Sequence, residues 1–287
     1  MSVLLCSTHE ELIAARGDDR LTSVVMTMGA LHDGHAELIR AARRRGGAEG
    51  RIIVTDFVNP TQFGAGEDFD RYPRTLEADI AVCEAAGADI VFAPSVEDVY
   101  GTSDLSTLGS QVQIEPSPLG DELEGASRPG HFRGVLTVVG KLMHLTSPDL
   151  AVFGEKDYQQ LTLITAMVRD LRFPIEIVPV ETVREADGLA MSSRNRYLSD
   201  AERATASLIP QALRAVIAAG SLGESAAVKA GLDVLAADPS IDLDYLVIRD
   251  LDLSAAPTTG PARVLIAARV GSTRLLDNMA MELGGTR

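Results

Sequence analysis

The sequence predicts an α/β protein, with a Rossmann-like parallel sheet domain followed by a smaller C-terminal α+β domain. Strand-like and helix-like segments alternate through the first two thirds of the chain, the pattern of a parallel sheet covered by helices. Several strand-like segments are unbroken apolar runs, as strands covered on both faces require. After Arg194 the texture changes to two helical stretches followed by three short strands with turn signals between them.

Taken in order, residues 23–27 (Ser-Val-Val-Met-Thr) read as the first strand, followed by a helix over 34–45 that stops at Gly46-Gly47. Residues 51–57 and 88–93 are the next strands, separated by a helix over 75–86 that stops at Gly87. Glycine just past a helix end supports both stops, because it takes the left-handed conformation without steric cost. Helices over 131–145 and 157–171 alternate with strands over 150–153 and 175–181. Residues 101–130 are rich in Ser, Gly and Pro, and a loop of that length inside a compact domain suggests a functional segment, here read as a cover over the site. Ser199-Asp-Ala-Glu202 has capping-box spacing and opens a helix to about residue 219; a second helix covers 224–236. Strands over 243–249, 263–270 and 273–281 complete the chain, and the expected domains are 1–183 and 184–287.

Composition narrows the function. The 287 residues are 46% hydrophobic and 23% charged, within the range of folded globular proteins. Lys and Arg number 26 against 41 Asp and Glu, a net charge of −15, so nucleic acids and anionic membranes are poor partners and any basic site is local. The N-terminal residues lack a basic region followed by a long apolar core, and no run reaches the ~18 apolar residues of a membrane span, so a cytoplasmic protein is expected. Cys6 and Cys83 form no CxxC and are expected to be buried thiols.

Three polar loops carry the chemistry. Met28-Gly-Ala-Leu-His-Asp-Gly-His35 lies between a strand and a helix, where unpaired backbone N–H groups at a helix N-terminus favour anions and two imidazoles three residues apart add donors. Gly154-Glu-Lys-Asp157 repeats the strand-loop-helix geometry: Lys156 can neutralise a phosphate and Asp157 can accept from ribose hydroxyls. Met191-Ser-Ser-Arg-Asn195 adds two hydroxyls and a guanidinium fork suited to phosphate oxygens. In an open parallel sheet the ligand lies beyond the carboxyl ends of the strands, where the loops at 28–35, 59–66 and 154–157 converge. Phe57-Val-Asn-Pro-Thr-Gln-Phe63 and Asp157-Tyr-Gln-Gln160 supply neutral amides, which suit a small hydroxy acid. Each loop on its own has a plainer reading, as turn, helix cap, hinge or exposed helix face. The sequence contains no GxxxxGK[ST] loop, no GxGxxG follows the first strand, and His32 and His35 lack the spacing of a zinc metalloprotease, so no metal ligand is assigned.

Taken together, MGALHDGH, FVNPTQFG, YPRT, RPGHFRGV, GEKDYQQL, VREADGLAMSSRNRYL and TRLLDN resemble, in order and over nearly the whole chain, the pantothenate synthetases, the pantoate–β-alanine ligases. The HxGH element alone is shared with a wider nucleotidyltransferase superfamily. The resemblance implies a homodimer, a C-terminal domain closing over the first, and ATP, Mg²⁺, pantoate and β-alanine as ligands in the pantothenate branch of coenzyme A synthesis. It places Met28, Gly29, Ala30, Leu31, His32, Asp33, Gly34 and His35 in the ATP site, with His35 as proton donor and His32 on phosphate oxygens. Gly154, Glu155, Lys156, Asp157, Val183, Met191, Ser192, Ser193 and Arg194 complete that site, and Gln62 and Gln160 hold pantoate, Gln62 also lying near β-alanine. Catalytic weight falls on His32, His35, Lys156 and Arg194. Met26 stands where the family usually has Pro, and Asp56 stands in a strand where an apolar residue is usual, a costly placement for an unpartnered carboxylate. Some family members carry an acidic pair associated with Mg²⁺ near position 79, but residue 78 here is Ala.

The implied reaction has two steps. Pantoate attacks the α-phosphorus of ATP to give an acyl adenylate and pyrophosphate, and the amine of β-alanine then displaces AMP. Two rival readings are a nucleotidyltransferase acting on a phosphate-bearing acceptor, against which the amides at Gln62 and Gln160 argue, and a nucleotide sensor that never releases pyrophosphate.

Overall fold

The computed structural model describes residues 2–17, 19–64 and 69–284, so residues 65 and 66 of the loop expected at 59–66 lie outside the described residues. The chain divides into two compact units, Met1–Glu155 with Leu163–Glu181, and Lys156–Thr162 with Thr182–Arg287.

The first unit is built on a six-stranded, wholly parallel sheet. In chain order its elements are β1 (Leu4–Cys6), α1 (His9–Arg16), β2 (Thr22–Thr27), α2 (Asp33–Gly46), β3 (Arg51–Asp56), α3 (Leu76–Ala86), β4 (Ile90–Phe92), α4 (Val96–Tyr100), α5 (Glu124–Ser127), α6 (His131–Thr146) and β5 (Leu150–Gly154). Helix α7 (Tyr158–Asp170) and strand β6 (Glu176–Val180) follow. The strand order is β1-β4-β3-β2-β5-β6, with every pairing parallel. Starting from β2 the chain builds outward through β3 and β4, then returns to the other side of β2 for β5 and β6. The order therefore reverses between β2 and β5, the crevice where open α/β sheets take their ligands. The register Val25↔Val152 sets the ends of β2 and β5 side by side, so the loops that begin at Met28 and after Gly154 leave the sheet as neighbours.

Sequence explains the layers. β2 and β3 are rich in Val, Ile and Thr and are buried along nearly their whole length, as central parallel strands must be. Helix α2 turns Ala36, Ile39 and Ala42 inward, where they join a cluster with Val25, Ile52, Val54 and Val152. Full burial of Ile39 alone contributes about 2–3 kcal/mol. The sequence reading omits β1 and α1, although Thr8 and Glu11 form a reciprocal capping box at the start of α1. The segment 101–130 is not a bare loop: it carries 3₁₀ turns at Leu105–Ser110 and Pro118–Asp121, and the short α5.

The second unit holds α8 (Asp200–Ala206), α9 (Leu208–Ala218), α10 (Glu224–Leu235) and an antiparallel sheet of β7 (Ile241–Arg249), β8 (Gly260–Val270) and β9 (Thr273–Leu283), in the order β7-β8-β9. Ile209, Leu213 and Val216 of α9 pack on Ile248, Val264 and Ile266. The single helix expected from Ser199 is two helices that meet at Ser207. Pro210 explains the break, since it has no N–H to donate to the carbonyl of Ala206 and its ring crowds that carbonyl.

A close approach seats the Thr61–Gln62 turn on α6. The helix carries glycine at position 134, where a Cβ would lie 2.3 Å from the carbonyl oxygen of Thr61 and 2.8 Å from the Cα of Gln62. The Asn59 side-chain amide donates to the Gly134 carbonyl at 3.3 Å, tying the same turn to the helix. Gly134→Ala is therefore expected to push the turn off α6 and to cost about 1–3 kcal/mol. Urea unfolding reads this directly, and an unchanged midpoint would mean that the turn is not seated there.

Candidate active site

The first loop is held from beneath. Gly29 (φ +81°) and Ala30 (φ +51°) both take left-handed backbone, which for alanine needs an outside constraint. Asp79, on the first turn of α3 and 2% exposed, provides it: its two carboxylate oxygens accept from Ala30 N at 3.0 Å and Leu31 N at 2.7 Å. The Thr75 hydroxyl donates to the same carboxylate at 3.0 Å, and the Thr27 hydroxyl accepts from Gly29 N at 3.2 Å. Met26 lies in β2 opposite Thr55.

The two histidines cap α2 reciprocally. His32 is the N-cap residue, and its Nδ1 accepts from Gly34 N at 3.1 Å; His35 Nδ1 accepts from His32 N at 3.3 Å. An imidazole nitrogen that accepts carries no proton, so the hydrogen-bond pattern assigns each ring's proton to Nε2. The rings lie 4.1 Å apart at their centroids. Sequence reasoning expects unpaired backbone N–H groups in this loop to meet an anion. Instead the amides of Gly29, Ala30, Leu31, His32 and Gly34 are engaged within the fold by Thr27, Asp79, His35 and His32. The geometry shifts donation toward the imidazoles, because a loop bent into left-handed backbone needs its own amides to hold that bend.

Asp56 has a partner after all. It ends β3, and its carboxyl lies beside that of Asp79. Both lie under Gly29, where a Cβ would sit 2.6 Å from Asp56 Oδ1 and 3.3 Å from Asp79 Oδ2. Burial, and then the neighbouring Asp79 charge, push the Asp56 pKa up to about 6. Burial, with both carboxylates behind it, pushes the nearby Cys83 thiol up to about 12, which keeps it unreactive.

Gln62 is the most constrained of the predicted substrate residues. Asn59, 1% exposed, donates to Gln62 Oε1 at 3.0 Å and accepts from the Tyr100 hydroxyl at 2.7 Å and the Thr61 hydroxyl at 3.0 Å. Gln62 Nε2 lies 3.0 Å from Met28 Sδ, which joins this turn to the first loop. The Gln62 main-chain carbonyl faces His131 Nδ1 at 2.9 Å and Arg128 Nη2 at 3.4 Å, while Arg128 Nη1 meets His131 Nε2 at 3.0 Å. These groups, with Thr61 and Tyr100, line a cavity of about 970 Å³ in the first unit. Asn59, one of the amides the sequence offers for the substrate, instead supports Gln62, and Tyr100, Arg128 and His131 are not among the predicted site residues, although RPGHFRGV belongs to the motif set.

The second unit gathers the cations. Lys156, Ser192, Arg194, Arg274 and Asp277 line one cleft there. The polar stretch is framed by a small hairpin in which Met191 N donates to Val183 O at 2.9 Å, Glu185 N to Leu189 O at 2.8 Å, and Gly188 turns with φ +89°. Arg184 forks onto Asp277, 3% exposed, at 2.7 and 3.0 Å. Asn195 donates to Ala190 O at 3.0 Å, and Ser192 Oγ accepts from Arg194 N at 3.3 Å. Lys156 Nζ lies 3.2 Å from Asp157 Oδ1 and keeps 20% side-chain exposure. Gln160 is half-buried on the first turn of α7, while its neighbour Gln159 is only 3% exposed. Of the predicted residues, Met28 to His35, Gln62, Gly154 and Glu155 thus belong to the first unit; Lys156, Asp157, Gln160, Val183 and Met191 to Arg194 belong to the second.

The carboxyl pair makes a pH prediction. A carboxyl whose folded pKa lies above its unfolded value favours the fold fully below the unfolded pKa, near 4, and that contribution is lost as pH rises through about 6. The difference is on the order of 2–3 kcal/mol. Asp56→Asn, which keeps a donor toward Asp79 and removes the second charge, should therefore raise stability at pH 7.5 more than at pH 4.5. Denaturation midpoints of both proteins across that range test it, and parallel curves would show that the fold does not raise the Asp56 pKa.

The chain is similar to known proteins along nearly its whole length. A family model described as pantoate-beta-alanine ligase matches residues 5–280. The pantothenate synthetase of Salinispora arenicola is 56% identical over 289 residues, covering 97% of this chain and 98% of that protein. That of Nocardia farcinica is 54% identical, covering 94% and 82%. Among solved structures, pantothenate synthetase from Thermus thermophilus superposes with a TM-score of 0.86 at 44% identity, covering 96% of this chain and 99% of that one. A pantoate-beta-alanine ligase from Francisella tularensis, solved with beta-gamma ATP and beta-alanine, gives 0.77 at 32% identity over 96% and 97%. The chain belongs to the pantoate–β-alanine ligase family.

Proposed function

We propose that the chain joins pantoate to β-alanine by way of a pantoyl adenylate. The observation that carries the reading is the reciprocally capped His32–His35 pair at the reversal point of the sheet, in a chain whose family is a ligase family. A carboxylate is a poor acyl donor until adenylated. The first step brings two anions together, and its barrier is lowered by positioning and by donors placed where charge accumulates on departing pyrophosphate. His32 and His35 donate through Nε2 to phosphate oxygens, with His35 passing a proton if the leaving group takes one. Lys156 and Arg194 neutralise the phosphates, and the hydroxyls of Ser192 and Ser193 add donors.

Gln62 and Gln160 bind pantoate with neutral amides that add no charge beside an attacking carboxylate. Gly154, Glu155, Asp157, Val183 and Met191 complete the nucleotide pocket. In the second step the amine attacks the adenylate, which must be kept from water, a task suited to closure of the C-terminal domain, residues 184–287, over the first. Mg²⁺ bound with the nucleotide would supply further neutralisation of phosphate charge. A homodimer and a cytoplasmic location accompany this reading; no helix among the described residues is long and apolar enough to cross a membrane.

Pantoate-dependent exchange of labelled pyrophosphate into ATP tests the first step alone. The wild type should exchange with Mg²⁺ present, and Lys156→Ala should lower the rate by about 100-fold or more with an unchanged circular dichroism spectrum. Absence of exchange in folded wild type would overturn the ligase reading, and near-normal rates in the variant would remove Lys156 from the chemistry.

A further inference from the structure

Lys156 stands immediately after the first unit's chain segment ends, yet its own segment groups with the C-terminal unit. The hydrogen bonds explain why. Asn278, on β9 and 3% exposed, donates from Nδ2 to the main-chain carbonyl of Lys156 at 2.8 Å. Its Oδ1 accepts from Arg263 Nε at 2.6 Å, and its own amide donates to Asp277 Oδ1 at 2.7 Å. Arg263, on β8 and 5% exposed, lays its guanidinium over the Tyr158 ring at 3.8 Å from the centroid. The Tyr158 hydroxyl donates to Leu251 O at 3.0 Å. The turn is thus held at its carbonyl and at its aromatic ring by two neighbouring strands.

The same strand pair also anchors the other cation. Asp277, next to Asn278, receives both arms of Arg184, which lies at the base of the hairpin that leads into Ser192 and Arg194. Arg184 Nη2 further reaches the Asn278 carbonyl at 3.3 Å. Lys156 and Arg194 come from distant parts of the chain, and the adjacent pair Asp277-Asn278 is where the supports of both meet.

We propose that Asn278 and Arg263 are positioning residues for the adenylation step, fastening the Lys156–Tyr158 turn to the C-terminal sheet so that Lys156 and Arg194 are presented as one fixed cationic pair. Neither lines the cleft that Lys156 and Arg194 share. A side-chain amide suits the task because it donates to one carbonyl and accepts from a guanidinium at once; a carboxylate keeps the second contact and repels the first. The proposal rests on the ligase reading for its kinetic arm only.

Asn278→Asp is nearly isosteric and retains the acceptor for Arg263, and Asn278→Ala removes both contacts. Each should slow pantoate-dependent pyrophosphate exchange at saturating ATP by about 10- to 100-fold, with the KM for pantoate within about threefold. The decisive comparison is a double-mutant cycle: with Lys156 already replaced by Ala, adding Asn278→Asp should cost no more than about threefold, because its effect passes through Lys156. Independent of turnover, hydrogen–deuterium exchange of the peptide covering 155–162 should speed up about tenfold or more in Asn278→Asp, with β8 and β9 unchanged. If the two losses multiply, or if wild-type exchange rates persist in Asn278→Asp, the proposal is overturned. If the wild type does not catalyse exchange, the ligase reading fails, and unaltered deuterium uptake at 155–162 would separately refute the clamp.

Discussion

The bend of the first loop depends on a buried carboxylate. Asp79 accepts the amides of Ala30 and Leu31, and without that acceptor an alanine at φ +51° beside a glycine at φ +81° has no reason to hold its bend. The bend puts His32 at the N-cap of α2 and His35 one turn later, where each ring's Nδ1 accepts a backbone amide and the proton stays on Nε2. Loop posture, helix start and imidazole tautomer therefore form one chain of cause. The cost is electrostatic, since Asp56 brings a second carboxyl against the first in a buried setting and its pKa rises to about 6. Asp79 itself accepts from two amides and a hydroxyl.

A similar division of labour runs through both units: buried polar side chains hold backbone, and partly exposed ones remain for the ligand. Asn59 saturates its own amide in fixing Thr61 and Gln62. Asn195 holds Ala190 beside the Ser192 hydroxyl, and Asn278 holds Lys156. These asparagines are buried at 1%, 6% and 3% exposure, and each is engaged, as a buried amide must be to avoid a desolvation penalty. Arg194 and Ser193 lie one and two residues from Asn195, while Gln62 and Lys156 lie across a single hydrogen bond from Asn59 and Asn278. In such an arrangement binding does not have to order the protein first, which leaves more of the interaction energy for the transition state.

Much of this is legible in the sequence. The central strands announce themselves as apolar, β-branched runs, and the helices after them as periodic stretches stopped by glycine, because both signals arise from local chemistry and burial on two faces. The loops stand out as polar interruptions at strand ends, and their motif strings carry the family. What escapes is long-range. Nothing near residue 28 says that an aspartate at position 79 will accept its loop amides, and nothing in Gly154-Glu-Lys-Asp157 says that its lysine will be tied to β9. Asp56 looks like an uncompensated charge because its partner is far along the chain. Pro210 is visible, yet the capping box at Ser199 suggests one helix where the proline makes two. The amides of the first loop look available for phosphate only because their internal acceptors cannot be seen.

The most direct test of the central claim is the affinity for ATP, measured by calorimetry with Mg²⁺ present, in the wild type and in Asp79→Asn. Asparagine keeps the shape but presents an NH₂ group to one of the two loop amides, so the bend at Gly29-Ala30 should loosen. Affinity should then fall about tenfold or more while the fold is retained, the loss of one charge-assisted hydrogen bond being worth about 1.5–3 kcal/mol. A folded Asp79→Asn protein that binds ATP as tightly as the wild type would contradict the account.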